Sequence, residues 1–283
     1  MKKIKRVTAG LVAICMIFAF TACGGNEQKK DVMKTSINNI EEVDSMTSET
    51  YVEFAGTIEG QDVNINTAIS HRMITSPFAM KMEVGITSDE GEKQQTKSTK
   101  MYAESSGINC VLYYQINDKW YKETEEGNDD FRHYNTAETA KIYMKSVKDV
   151  RRTGSDIISG AAADRYEGVI SENDFKTVFD ESDLDHRFEI DDFDDFKTSN
   201  LNSIFDGVGD IPMTIWLDSD NMRPVKYQFD MTDAVKIMLG NLGTRGEKIT
   251  VSKVHMSTVI TGYNNVDKIT IPEAARQAGI LDL

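Results

Sequence analysis

The chain has 283 residues, of which 40% are hydrophobic, so it can bury a core as one large domain or two small ones. Its 46 acidic side chains outnumber its 32 basic ones and give a net charge of −14. This charge excludes a typical nucleic-acid-binding protein, which needs a basic surface to replace the counterions of phosphate. Three cysteines are too few for a fold held together by disulfides.

Residues 1–22 have the pattern of an export signal. A basic start precedes an apolar run from Val7 to Phe20, which is shorter than the about 20 residues of a membrane-spanning helix. The run ends in Thr21-Ala22-Cys23-Gly24, which resembles a bacterial lipobox. The resemblance implies that Cys23 carries a diacylglyceryl group and becomes the first residue of the mature chain. The alternatives are an ordinary signal peptide or a short membrane helix with a chance cysteine.

Lipidation of Cys23 predicts an extracytoplasmic protein anchored to the cell membrane. Two acyl chains anchor stably where one is marginal, because each buried methylene contributes about 0.8 kcal/mol. Residues 23–30 are then the lipidated cysteine and a short polar tether, and residues 31–283 form a single domain, because no linker divides them. An acidic domain is repelled by an anionic membrane, so we expect it to be solvated and held by its tether.

The rest of the sequence predicts many strands and a few helices. Residues 31–46 have apolar side chains at helical spacing, and from Glu49 the apolar period changes to two. Polar turns then separate strands as far as Thr124. Later elements are helices at 135–150 and 232–239 and strands at 152–159, 164–170, 213–217, 225–229 and 247–263.

The arrangement of these strands predicts one antiparallel sheet. Short turns between consecutive strands imply antiparallel neighbours, and one apolar face per strand implies a sheet covered on one side only. The apolar phase shifts between Val251 and Val254, which indicates a β-bulge. Strands and helices do not alternate regularly, which disfavours a doubly wound domain.

Two stretches carry a resemblance to a known family. The first is a hairpin in which an aspartate turn and a proline join Pro212–Asp218 to Arg223–Tyr227. The second joins Tyr263–Val266 to Ile271–Ala275. With the lipobox and the order of elements, they resemble the LolA-like lipoprotein-carrier superfamily, and within it anchored lipoproteins of Gram-positive bacteria. The resemblance implies an α+β fold, a half-barrel formed by a curled antiparallel sheet of about ten strands with helices on its concave side.

The apolar faces of the strands are the predicted ligand site. In the family the curled sheet leaves an apolar cavity, which would suit an acyl chain or another apolar ligand. Met80 and Met82 would give such a cavity an adaptable wall. Alternatively, helices cover this face completely and it is only core. The candidate cavity residues are Val52, Phe54, Phe78, Met80, Met82, Val84, Leu112, Tyr114, Ile215, Leu217, Tyr227 and Phe229.

The sequence lacks motifs for catalysis. None of its four histidines pairs with another at metal-ligand spacing, and it has neither a nucleophile elbow nor a phosphate-binding loop. We therefore predict no enzyme, no cofactor and no metal site. Cys110 is in phase with Leu112 and Tyr114, so we expect a buried thiol.

Two acidic stretches invite a calcium alternative. Asp180–Asp195 and Asp218–Asn221 cluster carboxylate and amide oxygens, but neither has the glycine and glutamate of a calcium-binding loop. Asp and Asn also form turns without a metal, by bonding their own backbone.

The sequence thus predicts a membrane-anchored extracytoplasmic lipoprotein that binds a lipid-like ligand in a half-barrel cavity, without covalent catalysis. The alternative is a sensory or adaptor module with a filled core, which binds another envelope protein through its acidic surface. Neither hypothesis includes nucleic acid as a partner.

Overall fold

A computed structural model describes the chain in five segments, residues 30–90, 93–126, 136–180, 201–241 and 248–280. The predictions for the signal peptide at 1–22, for lipidation of Cys23 and for the tether up to residue 29 lie outside these segments. The acidic stretch at 180–195 lies outside them except for its first residue.

The described residues form twelve strands, many of them connected by short turns, and six helices. In order the elements are α1 Lys30–Glu41, β1 Ser45–Ile58, β2 Gln61–Ile74, β3 Ala79–Glu90, β4 Lys93–Ser106, β5 Asn109–Ile116, β6 Lys119–Glu126, α2 Thr136–Ser146, β7 Val147–Ile158, β8 Ala161–Ile170, α3 Glu172–Asp180, α4 Leu201–Ile204, β9 Ile211–Asp218, β10 Pro224–Asp230, α5 Thr232–Asn241, β11 Ile249–Tyr263, α6 Glu273–Arg276 and β12 Gly279–Ile280.

All these strands belong to one curled, unclosed sheet. Its spatial order is β12-β6-β5-β4-β3-β2-β1-β11-β10-β9-β8-β7. The neighbours are antiparallel, except that β12 runs parallel to β6. The strand β11 joins the two halves of the sheet, because it pairs with β1 on one side and with β10 on the other. The half-barrel fold class predicted from the sequence is confirmed.

Strand β2 shows why the sheet has one register. Its odd-numbered residues from Val63 to Met73 are buried, and the even-numbered residues between them are exposed. A slip of one residue against β1 would exchange the two sets, so the free energy of burial fixes the pairing. The predicted β-bulge in β11 is also confirmed, because the pairing with β1 shifts between Ala55 and Gly56. Only glycine fits there, since a Cβ at Gly56 would collide with the carbonyl oxygen of Thr250.

The helices α1, α2 and α5 pack on the concave face. Met33 and Ile40 on α1, Tyr143 on α2 and Val235 on α5 join one buried apolar cluster with residues of β1, β2 and β8–β11. We call this the main cluster. It includes the apolar stripe that the sequence predicted on the first helix.

Two helices end earlier than predicted, because the following residues pair in the sheet. The first ends at Glu41 rather than at 46, and Ser45 already pairs with Ile74 of β2. The second ends at Ser146 rather than at 150, because Val147 pairs with Ile170 of β8. Tertiary hydrogen bonding outweighs the local helical pattern in both places.

Residues 264–280, here called the C-terminal strap, correct the expectation that only one face is covered. On the convex face, Ile271 and Ala275 of the strap pack against Tyr102 of β4 and Tyr113 of β5. Arg276 donates hydrogen bonds of 2.6 and 2.9 Å to the two carboxylate oxygens of Glu104. The strap then adds β12 to the sheet edge formed by β6.

Candidate ligand-binding face

The sheet register places the predicted cavity residues on one face. Val84 pairs with Ile69 of β2, which pairs in turn with Thr50 of β1, two residues from Val52. The same counting, continued across β5, β9 and β10, puts the remaining strand candidates on this concave face. Phe78 comes just before β3, and its carbonyl oxygen accepts a hydrogen bond from the backbone N–H of Ser105.

Most of these side chains are buried. Phe78 and Tyr114 are half-buried, and the other ten candidates are at most 8% exposed. The face nevertheless divides into two apolar clusters, and each contains half of the candidates.

In the main cluster, helices fill the space above the sheet. Val52, Phe54, Ile215, Leu217, Tyr227 and Phe229 belong to it. The ring of Tyr143 on α2 meets the ring of Phe229 with 4.7 Å between centroids, and that of Tyr227 with 5.3 Å. These edge-to-face contacts are those of a packed aromatic core.

The second cluster, here called the methionine-rich cluster, contains the other six candidates. Its described members all lie on or directly before strands, and no described helix contributes one. The buried members are Ile69, Met80, Met82, Val84, Ala103, Cys110 and Leu112, and the half-buried ones are Phe78, Ile86, Met101 and Tyr114. The buried thiol predicted at Cys110 is confirmed, with 0% exposure.

Sequence reasoning missed Met101 and Ala103 as members of this cluster. They lie on β4, which pairs Met101 with Met82 and Ala103 with Met80. The strand is otherwise polar from Lys93 to Lys100, so its apolar end carries little signal. The alternation Met101, Ala103 could have identified the inward positions.

Hydroxyl groups interrupt the apolar surface where β1, β11 and β10 lie side by side. The Thr50 and Thr258 hydroxyl oxygens are 2.8 Å apart, and both residues are buried. Tyr227 also bonds to Thr258, and burial raises the pKa of its phenol to about 12. These three hydroxyls form a satisfied network within the main cluster.

Thr67 lies where the two clusters meet. It follows Ile65 of the main cluster and precedes Ile69 of the methionine-rich cluster on the inward side of β2. Its neighbours across the sheet are Val52 on β1 and Ile86 on β3. The side chain is 2% exposed, and its hydroxyl has no hydrogen-bond partner among the described residues.

His71 is the one buried histidine among the described residues. Its Nδ1 lies 2.6 Å from the hydroxyl oxygen of Thr136, so it joins β2 to the start of α2. His255 faces the convex side, and its Nε2 lies 3.2 Å from a carboxylate oxygen of Asp230. The other two histidines lie outside the described residues.

The acidic turn at Asp218 is explained by backbone hydrogen bonds. Its Oδ1 accepts hydrogen bonds from the N–H groups of Asp220 and Asn221, and the Asn221 side chain accepts one from the N–H of Arg223. These are the bonds of an aspartate turn. Within the described segments no group of three or more His, Cys, Asp or Glu is placed to hold a metal ion.

Comparison with known proteins gives one family match. Residues 28–166 match a family described as "Family of unknown function (DUF6612)". No curated protein matches the sequence. No helix in the described part of the chain has the length and hydropathy needed to cross a membrane.

Several solved structures match the chain at low identity. LprF from Mycobacterium bovis is 9% identical with a TM-score of 0.47, over 86% of this chain and 95% of that one. LppX, a lipoprotein from Mycobacterium tuberculosis, is 11% identical with a TM-score of 0.42, over 86% and 100%. An outer membrane lipoprotein-sorting protein domain from Vibrio parahaemolyticus is 8% identical with a TM-score of 0.26, over 82% and 92%.

Proposed function

We propose that this protein is an extracytoplasmic lipoprotein, anchored to the cell membrane through Cys23, that binds the acyl part of a lipid-like ligand on the methionine-rich cluster. The observation that carries the proposal is the division of the concave face. One part is packed by helices, whereas the other draws all its described members from the sheet.

The composition of the methionine-rich cluster suits a flexible apolar ligand. Methionine has three rotatable bonds and a polarisable sulfur, so it adapts to ligands of different shape. Met80 and Met82 lie on β3, and Met101 lies opposite Met82 on β4. The small side chain of Ala103 stands between longer neighbours across the sheet, Met80 on β3 and Leu112 on β5.

The anchor would hold this face close to the source of its ligand. A tether of seven polar residues has a root-mean-square length of about 15 Å, so the domain stays beside the membrane without having to touch it. The ligand is held by burial and hydrogen bonding, and no covalent step is part of the proposal.

Native mass spectrometry of residues 24–283, followed by organic extraction, tests ligand binding. This segment contains every described element but not the lipidated cysteine. We expect a stoichiometric adduct of lipid mass. A folded protein of bare mass that also takes up no fluorescent fatty acid would contradict the proposal, and would favour the adaptor that binds another envelope protein.

Fractionation of cells tests the anchor separately. We expect the full-length chain in the membrane fraction and the Cys23→Ala variant outside it. Recovery of the unsubstituted chain in the soluble fraction would contradict lipid anchoring, whatever the outcome of the ligand experiment.

A further inference from the structure

We infer that the polar group of the ligand is uncharged and binds at Thr67, as the glycerol hydroxyl or an ester carbonyl of a neutral acylglycerol would. This inference rests on the proposed function and deepens it by naming the chemical class of the ligand. Its three grounds are the place of Thr67 between the clusters, its unpartnered hydroxyl and the surrounding charges.

Thr67 lies where the polar end of an acyl ligand would come to rest. Thr67 stands at the edge of the methionine-rich cluster, and Ile86 beside it packs against both clusters. An acyl chain that lies over β3 to β5 would therefore end next to Thr67 if its polar end points toward the centre of the sheet. Beyond Thr67 the helix-packed main cluster begins.

The second ground is the hydroxyl itself. A buried hydroxyl without a partner is unfavourable, because it has given up hydrogen bonds to water. The similarly buried Thr50 and Thr258 satisfy each other, whereas Thr67 has no such neighbour among the described residues. A hydroxyl can donate and accept, so it matches both an alcohol and an ester carbonyl.

The charges of the described residues around Thr67 favour an uncharged ligand group. Among the lysines and arginines whose burial the structure describes, only Lys141 is buried, and it already forms an ion pair with Glu138. His71 lies four residues from Thr67 along β2, about 13 Å away at the rise of a strand. An ionised carboxylate or phosphate buried at Thr67 would find no free buried lysine or arginine among the described residues to compensate it, and an uncompensated buried charge is strongly unfavourable.

The test compares three ligands with the same acyl chain on delipidated residues 24–283. Dioleoylglycerol is neutral, whereas oleate and dioleoylphosphatidylglycerol carry a negative charge. We expect dioleoylglycerol to be retained about tenfold more tightly than either anion, as measured by native mass spectrometry. Equal or tighter binding of an anionic ligand would overturn the inference but would leave the proposed function intact.

The variant Thr67→Val isolates the hydroxyl, because valine has nearly the same shape. We expect it to bind dioleoylglycerol about tenfold more weakly, while the ligand-free protein melts at the same or a higher temperature. Unchanged binding of dioleoylglycerol would overturn the inference. If none of the three ligands binds the unsubstituted protein, the proposed function itself fails.

Thr87→Val provides the matched control. Thr87 lies on the neighbouring strand β3, half-buried, on the opposite face of the sheet. Loss of the Thr87 hydroxyl should change neither the affinity for dioleoylglycerol nor the preference of the protein for dioleoylglycerol over oleate. If Thr87→Val lowered the affinity for dioleoylglycerol as much as Thr67→Val does, the loss would not be specific to Thr67, and the inference would be overturned.

Discussion

The aromatic ring of Tyr143, on α2, stands edge-on to the ring of Phe229, on β10, with their centroids 4.7 Å apart. This contact fixes a helix to the half of the concave face that belongs to the main cluster. Half of the residues considered for a cavity from the sequence therefore pack in a cluster with helices, and the ligand is proposed to bind to the other half.

Phe229→Ala should lower the free energy of unfolding by about 3–5 kcal/mol, because it removes a buried ring and leaves a cavity. Phe229 is 4% exposed. Urea unfolding measures the change. Tyr114→Ala, at a half-buried position of the methionine-rich cluster, is the comparison and should cost less while weakening ligand binding. A larger loss of stability at Tyr114 would contradict this division of roles.

Ala103→Phe tests whether the methionine-rich cluster has room for a ligand. We expect the ring to take the place of the acyl chain, so that the protein stays folded and no lipid co-purifies. In a completely packed core the same ring would cost about 1–3 kcal/mol or more through overpacking. The experiment reads the melting temperature and the native mass together.

Ala68→Phe is the matched control, because Ala68 is exposed on the opposite face of β2. Ala68→Phe should change neither the melting temperature nor the lipid that co-purifies. Strong destabilisation by Ala103→Phe alone, with no ligand in the unsubstituted protein, would show that the cluster is ordinary core.

The buried phenol of Tyr227 should make the protein less stable at alkaline pH. Its pKa is raised from 10.0 to about 12 by burial, so the folded state favours the neutral phenol. The stabilisation is complete below pH 10 and is lost as the pH rises through about 12, a total of about 2–3 kcal/mol. Denaturant unfolding between pH 8 and pH 12 should show a smaller loss for Tyr227→Phe than for the unsubstituted protein. Equal losses of stability in the two proteins would show that Tyr227 does not cause the pH dependence.

The C-terminal strap should be held more by apolar contact than by charge. Ile271 is 4% exposed, and Ile271→Ala should cost about 2–5 kcal/mol. Arg276→Ala removes an ion pair whose side chains are 47% and 27% exposed, so it should cost about 1 kcal/mol or less. Urea unfolding of both variants gives the comparison. A greater loss of stability for Arg276→Ala than for Ile271→Ala would show that the ion pair, and not apolar contact, holds the strap.

Periodicity predicted most of the sheet, because inward side chains recur at every second residue. It located the strands from Val52 to Ile86 and the hairpin around Asp218, whose turn follows from local hydrogen bonds. It also marked the bulge in β11, since a shift of apolar phase is visible in the sequence.

The remaining features depend on distant partners. Val147 continues the helical pattern of α2, but its pairing with Ile170 places it in β7. The covering of Tyr102 by Ile271 joins segments that no local pattern relates. The burial of Thr67 could not be predicted either. Threonine is a polar residue type that is usually exposed, and the neighbours that bury this one are known only from the structure.

The pairing of β1 with β11 has a consequence for how the protein reaches its folded state. Thr50 and Thr258 bond to each other across 208 residues of chain, in the middle of the sheet. Contacts of such long range form slowly, because a large loop must close before they bring any stabilisation. A chain that leaves the ribosome or an export channel with its N-terminus first therefore cannot complete its core until β11 has emerged. If the chain is exported as proposed, late closure of the sheet would keep it unfolded while it crosses the membrane, and its early strands would stay exposed to aggregation until then.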